Sequence, residues 1–177
     1  AIDQVWLVVT PHNPQKEKST LLADHLRLDM VRDAIYESPH LKASDIEFHL
    51  KKPNYTISTL THLQEKYPQD EFSLILGADN LRSFHKWYNW EQILSKHRLY
   101  VYPRVADGST DLNETPAFIE HQHIEFVTDV PLLGISASFV RARLAAGKDC
   151  SFLLTEPVLK YITDRHLYQK FGNKKGE

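Results

Sequence analysis

Two hydrophobic rhythms share this chain, one with apolar residues side by side and one with apolar residues three or four apart. VWLVV (5–9) is a continuous β-branched run ended by TPHNP, which predicts a strand buried on both faces and then a loop. Leu21, Leu28, Val31 and Ile35 recur at spacings of 7, 3 and 4, the period of a helix, with Ser19 or Thr20 as its cap. DIEFHL (45–50) alternates weakly and predicts an edge strand; Ile57, Leu60, Leu63 and Tyr67 predict a second helix after KPNY. EFSLILG (71–77) reads as a strand, followed by a short helix near 79–84, the aromatic segment WYNW, a helix to about Ser95, and the strand RLYVYP (98–103). RVADGSTDLNET (104–115) has turn composition and predicts a mobile loop. IEFV (124–127) predicts a short strand, and residues 136–146 a helix ended by Gly147. EPVLKYITDRHLY predicts a last helix with Pro157 in its first turn.

Strand and helix alternate nearly throughout, the pattern of βαβ crossovers. The expected fold class is therefore α/β, Rossmann-like, with a mostly parallel sheet and helices on both faces. Ligands of such sheets bind at the carboxyl ends of the strands. Attention falls on the loops after Val9, Leu76, Tyr102 and Val127.

Composition narrows the function classes. The 177 residues suit one domain spanning 1–177, with 42% apolar and 25% charged residues and a net charge of −2. A general nucleic-acid surface is disfavoured at that charge. Cys150 is the only cysteine, so no internal disulfide forms and a cytoplasmic location is expected. No apolar stretch approaches the roughly 18 residues that span a bilayer, so no membrane partner is expected. Oligomeric state is open, a homo-oligomer included.

The stretch LLGISASFVRARLAAGKD (132–149) departs from ordinary core. On a helix Ser138 and Arg141 lie three apart on one face, while Val140 and Leu144, four apart, point to another. A helix start offers N–H groups without partners and about half a positive charge, so hydroxyls and an arginine there suit a phosphate. The alternative is that Ser136 or Ser138 only caps the helix and Arg141 is solvated. In ILGADNLRSFHKWYNW, Gly77 at a strand end allows close approach of a ligand, and Asp79 either accepts ribose hydroxyls or caps the next helix. Trp87 and Trp90 are either core or subunit-contact residues, or a plate for a flat cationic ring. His121 and His123 could share a strand face but lack a third metal ligand, and Cys150 lacks a paired histidine in sequence. KKPNY and NKKGE are short basic stretches that read as solvated.

These motifs resemble a known family. ISASFVR resembles the ISxSxxR signature of the nucleotidyltransferase superfamily, and GADNLRSFHKWYNW is similar to the GxDxxxxxxxW segment of bacterial nicotinate-nucleotide adenylyltransferases. KKPNYTISTL is similar to their PSYTIDTL segment, VVTPHNPQK to their second strand and its Pro-rich loop, and YITDRHLY to their C-terminal end. The resemblance runs through essentially the whole chain in order.

It implies transfer of AMP from ATP to nicotinate mononucleotide, giving nicotinate adenine dinucleotide and pyrophosphate, with Mg2+ bound through ATP and no metal held by protein side chains. It implies that Ile135, Ser136, Ser138 and Arg141 hold ATP, with Ser136, Ser138 and Arg141 on its phosphates as the catalytic set, and that Gly77 and Asp79 lie along the nucleotides. Arg104 is expected to touch phosphate or only solvent. The same resemblance puts Trp87 on the pyridine ring, Tyr55 and Thr56 at its carboxylate, and Lys16 on the mononucleotide phosphate.

One departure from the family pattern stands out. Its first strand ends in GxFxPxHxGH, and no His-x-Gly-His occurs among the six glycines here. The expectation is that a first strand and helix belong upstream of residue 1, and that a polypeptide starting at Ala1 would lose most catalysis. Rival readings are the same fold acting on nicotinamide mononucleotide or phosphopantetheine, and a non-catalytic nucleotide-binding module.

Overall fold

The computed structural model describes residues 2–11, 22–103 and 117–168. They belong to two compact units, one of residues 1–49 and 135–177 and the other of residues 50–134.

In the first unit β1 (Val5–Val8) pairs in parallel with β2 (Leu41–Ser44), Val5 opposite Leu41 and Val8 opposite Ser44. Parallel pairing requires the chain to return to its starting end, and α1 (Asp24–Ile35), which buries Leu28, makes that crossover. The helix opens at Asp24 after Ala23, so neither Ser19 nor Thr20 is its cap; both lie outside the described residues. Asp24 places a carboxylate in the first turn, where the helix dipole favours it.

Two expectations are corrected in this unit. DIEFHL is not an edge strand: the strand lies just upstream, and Ile46–His49 is a 3-10 turn. The Ile46 N–H turns to Ser44 Oγ at 3.4 Å and the Phe48 N–H to Asp45 O at 2.8 Å, so local bonds take backbone groups that a ladder would need. Nor is β1 buried on both faces, since Leu7 is 38% exposed and β1 has only β2 as a strand neighbour among the described residues.

The unit is completed by α5 (Ala137–Ala145) and α6 (Glu156–Asp164). Gly147 ends α5 as expected: at φ 65° its N–H reaches Leu144 O at 3.0 Å and the Lys148 N–H reaches Arg143 O at 2.9 Å, a Schellman cap. Pro157 sits in the first turn of α6, Val158 and Ile162 are buried, and the Tyr161 hydroxyl donates to Asp29 of α1 at 3.0 Å. The end of α6 repeats the cap with His166 at φ 53°, its N–H on Thr163 O and the Leu167 N–H on Ile162 O; Tyr168 follows at φ 62°.

In the second unit α2 (Thr56–Lys66) precedes β3 (Leu74–Gly77), α3 (Ala78–Arg82), a 3-10 turn Phe84–Lys86, α4 (Trp90–Lys96), β4 (Leu99–Tyr102) and β5 (Ile124–Phe126). The strands form one parallel sheet in the order β3-β4-β5, with Gly77 opposite Tyr102 and Val101 opposite Phe126. The helical period of Ile57 and Leu60 carries both side chains into a core with Leu76, Phe84, Ile93, Leu99 and Val101. Both units are thus parallel sheets flanked by helices, the architecture expected from the alternating pattern. The loop expected at 104–115 lies outside the described residues. No described helix is long and apolar enough to cross a membrane.

Candidate functional site

The opening of α5 is built by its serines. Ser136 is the N-cap, its hydroxyl accepting the Phe139 N–H at 3.1 Å. Helix geometry leaves the N–H groups of Ala137 and Ser138 without an intrahelical acceptor. Arg141 donates to Ser138 Oγ at 3.0 Å, so the shared face expected from the spacing is real. As acceptor of that bond the Ser138 hydroxyl keeps its own proton to donate. Val140, on the other face, is buried and anchors the turn. Ile135 and Phe139 are exposed beside these groups. The capping role is therefore met at Ser136, and Ser138 and Arg141 form a cationic, donor-rich helix start.

Sequence reasoning missed two further residues of the first unit. Arg27 on α1 bonds backbone at the carboxyl end of β1, donating to Thr10 O at 2.7 Å. Tyr168 is half-buried: burial pushes its phenol above the ordinary value, while the positive charges of Arg141 and Arg27 oppose that push. No motif marks Arg27; its only signal is an arginine one turn into a helix that follows a strand-end loop.

The second unit gathers a different chemistry at the carboxyl end of β3. A Cβ on Gly77 would collide with the Asp79 carboxylate and touch the Tyr102 ring at 3.4 Å. The absent side chain is what lets Asp79, exposed at the start of α3, fold back over the strand end. Tyr102 was not singled out from the sequence, although a strand ending in tyrosine beside one ending in glycine was a usable signal. Tyr55 is the N-cap of α2, and its ring stacks on Tyr88 with centroids 4.6 Å apart and planes at 32°. The first N–H groups of α2, those of Thr56 and Ile57, have no acceptor within the helix. Trp87 packs on the core against Phe84, centroids 5.4 Å apart, and stays half-buried, so one part of the indole is core and another is accessible. Trp90 also meets Phe84, edge-on at 6.1 Å, which fits its core reading.

Gly77→Ala is expected to lower turnover by about 10-fold while the protein stays folded, because the new methyl displaces one carboxylate tip rather than backbone. Steady-state kinetics beside a thermal melt checks this; unchanged turnover would mean the position of Asp79 is immaterial.

Lys16 and Arg104 lie outside the described residues. The imidazoles of His121 and His123 are engaged by backbone, His121 Nδ1 accepting the backbone N–H of His123 at 3.2 Å and His123 Nδ1 meeting Leu94 O of α4 at 2.8 Å. Among the described residues no three His, Cys, Asp or Glu side chains gather as a metal site. Cys150 is buried and its thiol points to Lys148 O.

Each unit is a parallel sheet flanked by helices, one carrying a glycine and a carboxylate at a strand end and the other a serine-capped cationic helix start, features that suit the class of Rossmann-like nucleotidyltransferases. The sequence model of the cytidylyltransferase-like family matches residues 1–143. A probable nicotinate-nucleotide adenylyltransferase of Flavobacterium psychrophilum is 50% identical over 169 residues, 96% of this chain and 85% of that protein. Its counterpart in Flavobacterium johnsoniae is 48% identical over 169 residues, 96% and 85%. The fold is shared with the Plasmodium falciparum nicotinic acid mononucleotide adenylyltransferase complexed with NaAD, at a TM-score of 0.73 and 20% identity, covering 94% of this chain and 82% of that one. The chain belongs to the cytidylyltransferase-like family, among its nicotinate-nucleotide adenylyltransferases.

Proposed function

We propose that this protein transfers AMP from ATP to nicotinate mononucleotide, giving nicotinate adenine dinucleotide and pyrophosphate in NAD biosynthesis, in the cytoplasm. The observation that carries the reading is the ISASFVR segment, folded as a capped helix start with Arg141 bonded to Ser138, in a chain half identical to a probable enzyme of that kind. We read the two units as one nucleotidyltransferase domain.

The step joins two anions. A phosphate oxygen of the mononucleotide attacks the α-phosphorus of ATP, a P–O bond forms, the bond to the bridging oxygen breaks, and pyrophosphate leaves. No covalent protein intermediate is needed, so positioning and charge neutralisation dominate. Ser136, Ser138 and Arg141 are assigned to the ATP phosphates: the first-turn N–H groups and the guanidinium offset negative charge, and the Ser138 hydroxyl donates. Ile135, Gly77 and Asp79 border the nucleotides, with the Asp79 carboxylate an acceptor for ribose hydroxyls and Arg104 a further phosphate contact. Mg2+ belongs to the substrate as its ATP complex, held by phosphate oxygens, the hard donors it prefers, and lowers the charge that the protein must offset.

Trp87 stacks on the electron-poor pyridine ring. Tyr55 and Thr56 face its carboxylate, where N–H groups at the start of α2 suit an anion. Lys16 reaches the mononucleotide phosphate. A carboxylate pocket made of N–H donors disfavours the amide, whose NH2 would meet donors and leave a polar group unpaired.

Product analysis with ATP and paired nicotinate and nicotinamide mononucleotides, using the natural polypeptide, tests the reading. The acid is expected to be used by at least about 10-fold over the amide. Turnover of the amide alone, or of phosphopantetheine alone, would refute it.

A further inference from the structure

Arg27 belongs to none of the motifs that carried the reading, yet its guanidinium joins two separated stretches of backbone. Nη2 donates to Thr10 O at 2.7 Å and to Pro11 O at 3.4 Å, and Nε donates to Leu22 O at 3.2 Å. The Asp24 carboxylate holds Nη2 at 2.7 Å, and the arginine side chain is only 19% exposed. One planar cation thus bonds the carboxyl end of β1 and the entry to α1. The two Nη2 protons go to Thr10 O and Asp24, with Pro11 O sharing the first at the longer distance, and the Nε proton goes to Leu22 O; these donors lie in one rigid plane, a geometry that a lysine ammonium cannot reproduce. The same side chain lines a cavity of about 650 Å³ with Val9, Thr10, Met30, Leu154 and Val158. A guanidinium four-fifths buried at the wall of this mostly apolar depression needs such partners, since burying a charge is costly unless it is paired and hydrogen-bonded.

We propose that Arg27 is a positioning residue that clamps Thr10 and Pro11 to Leu22, so that the carboxyl end of β1 meets the acceptor nucleotide in one fixed conformation. The chemical point is that strand ends of a parallel sheet are where ligands bind, and the end of β1 has no ladder partner beyond the Val9 N–H to Ser44 O bond at 3.0 Å among the described residues. Beyond Val9 the backbone is held by the arginine instead. Which acceptor feels the clamp rests on the function proposed above; the clamp itself does not.

The test compares Arg27→Gln and Arg27→Lys with the natural full-length protein by hydrogen exchange and by kinetics. In Arg27→Gln the amides of Val9, Thr10, Leu22, Ala23 and Asp24 are expected to exchange about 10-fold faster or more, while α5, α6 and the second unit keep their rates. The KM for the acceptor mononucleotide is expected to rise about 10-fold, with kcat and the KM for ATP changed by less than about 2-fold. Arg27→Lys keeps the charge and part of the bonding, so it should move the same quantities in the same direction by less, and it serves if the glutamine variant does not fold. Unchanged exchange at the five amides overturns the proposal, as does uniform acceleration across the first unit, which would make Arg27 only a structural residue. If the enzyme uses an acceptor other than nicotinate mononucleotide, that assignment fails, and the exchange experiment still decides the clamp.

Discussion

Arg141→Ala is expected to lower kcat/KM for ATP by about 100- to 1,000-fold, with little loss of stability. In the folded chain Arg141 makes one side-chain bond among the described residues, to Ser138, while burial on α5 is carried by Val140. Removing the guanidinium therefore takes away little packing. It takes away the one described cation at the start of this helix, where the triphosphate would otherwise meet only helix N–H groups and hydroxyls. Arg141→Lys should recover only part of the loss, since an ammonium cannot bond two phosphate oxygens in a plane or keep the same contact with Ser138. ATP titrations at saturating mononucleotide, together with thermal melts, separate the two effects. A loss below about 3-fold for the alanine variant would remove Arg141 from the site.

Trp87→Ala is expected to raise the KM for nicotinate mononucleotide by about 10- to 100-fold while leaving the KM for ATP nearly unchanged. Here stability and binding must be told apart. The indole packs against Phe84 in the core of the second unit, so truncation should also cost roughly 1–3 kcal/mol of stability, below the about 3–5 kcal/mol of a fully buried aromatic because Trp87 is only half-buried. Trp87→Phe keeps an aromatic face and much of the core contact. It should restore most of the melting temperature but only part of the affinity, because a phenyl ring has less surface and a weaker quadrupole than indole. Affinity that tracks stability through both variants would mean a core role alone. Equal small effects at Trp87 and Arg141 would contradict the assigned division of labour between the two substrates.

Much of this was written locally. The 3.6-residue period at Ile57, Leu60 and Leu63 needed no tertiary information, because that apolar stripe can be buried in only one way, and the apolar run at 74–77 read as a strand although Ile75 stays exposed. Gly147 was legible from turn chemistry, because a glycine adopts the φ of 65° that closes a Schellman cap at no steric cost, whereas the same cap at His166 left no such mark. The Ser138–Arg141 contact followed from helical spacing. DIEFHL misled because weak alternation does not distinguish a strand from a turn whose N–H groups find a serine side chain and a nearby carbonyl.

By itself, then, the chain's pattern determined most of the strands and helices, β2 excepted, that the strands run parallel, and which residue types could meet phosphate and a flat ring. Tertiary structure alone decided that Tyr102 lies beside Gly77, that Tyr88 stacks on Tyr55, and that Arg27 binds Thr10 and Leu22. These are contacts between residues whose separation in sequence carries no periodic signal. They arise from strand register and from where a helix lies against a strand end, quantities set by packing over many residues and not by any local stretch.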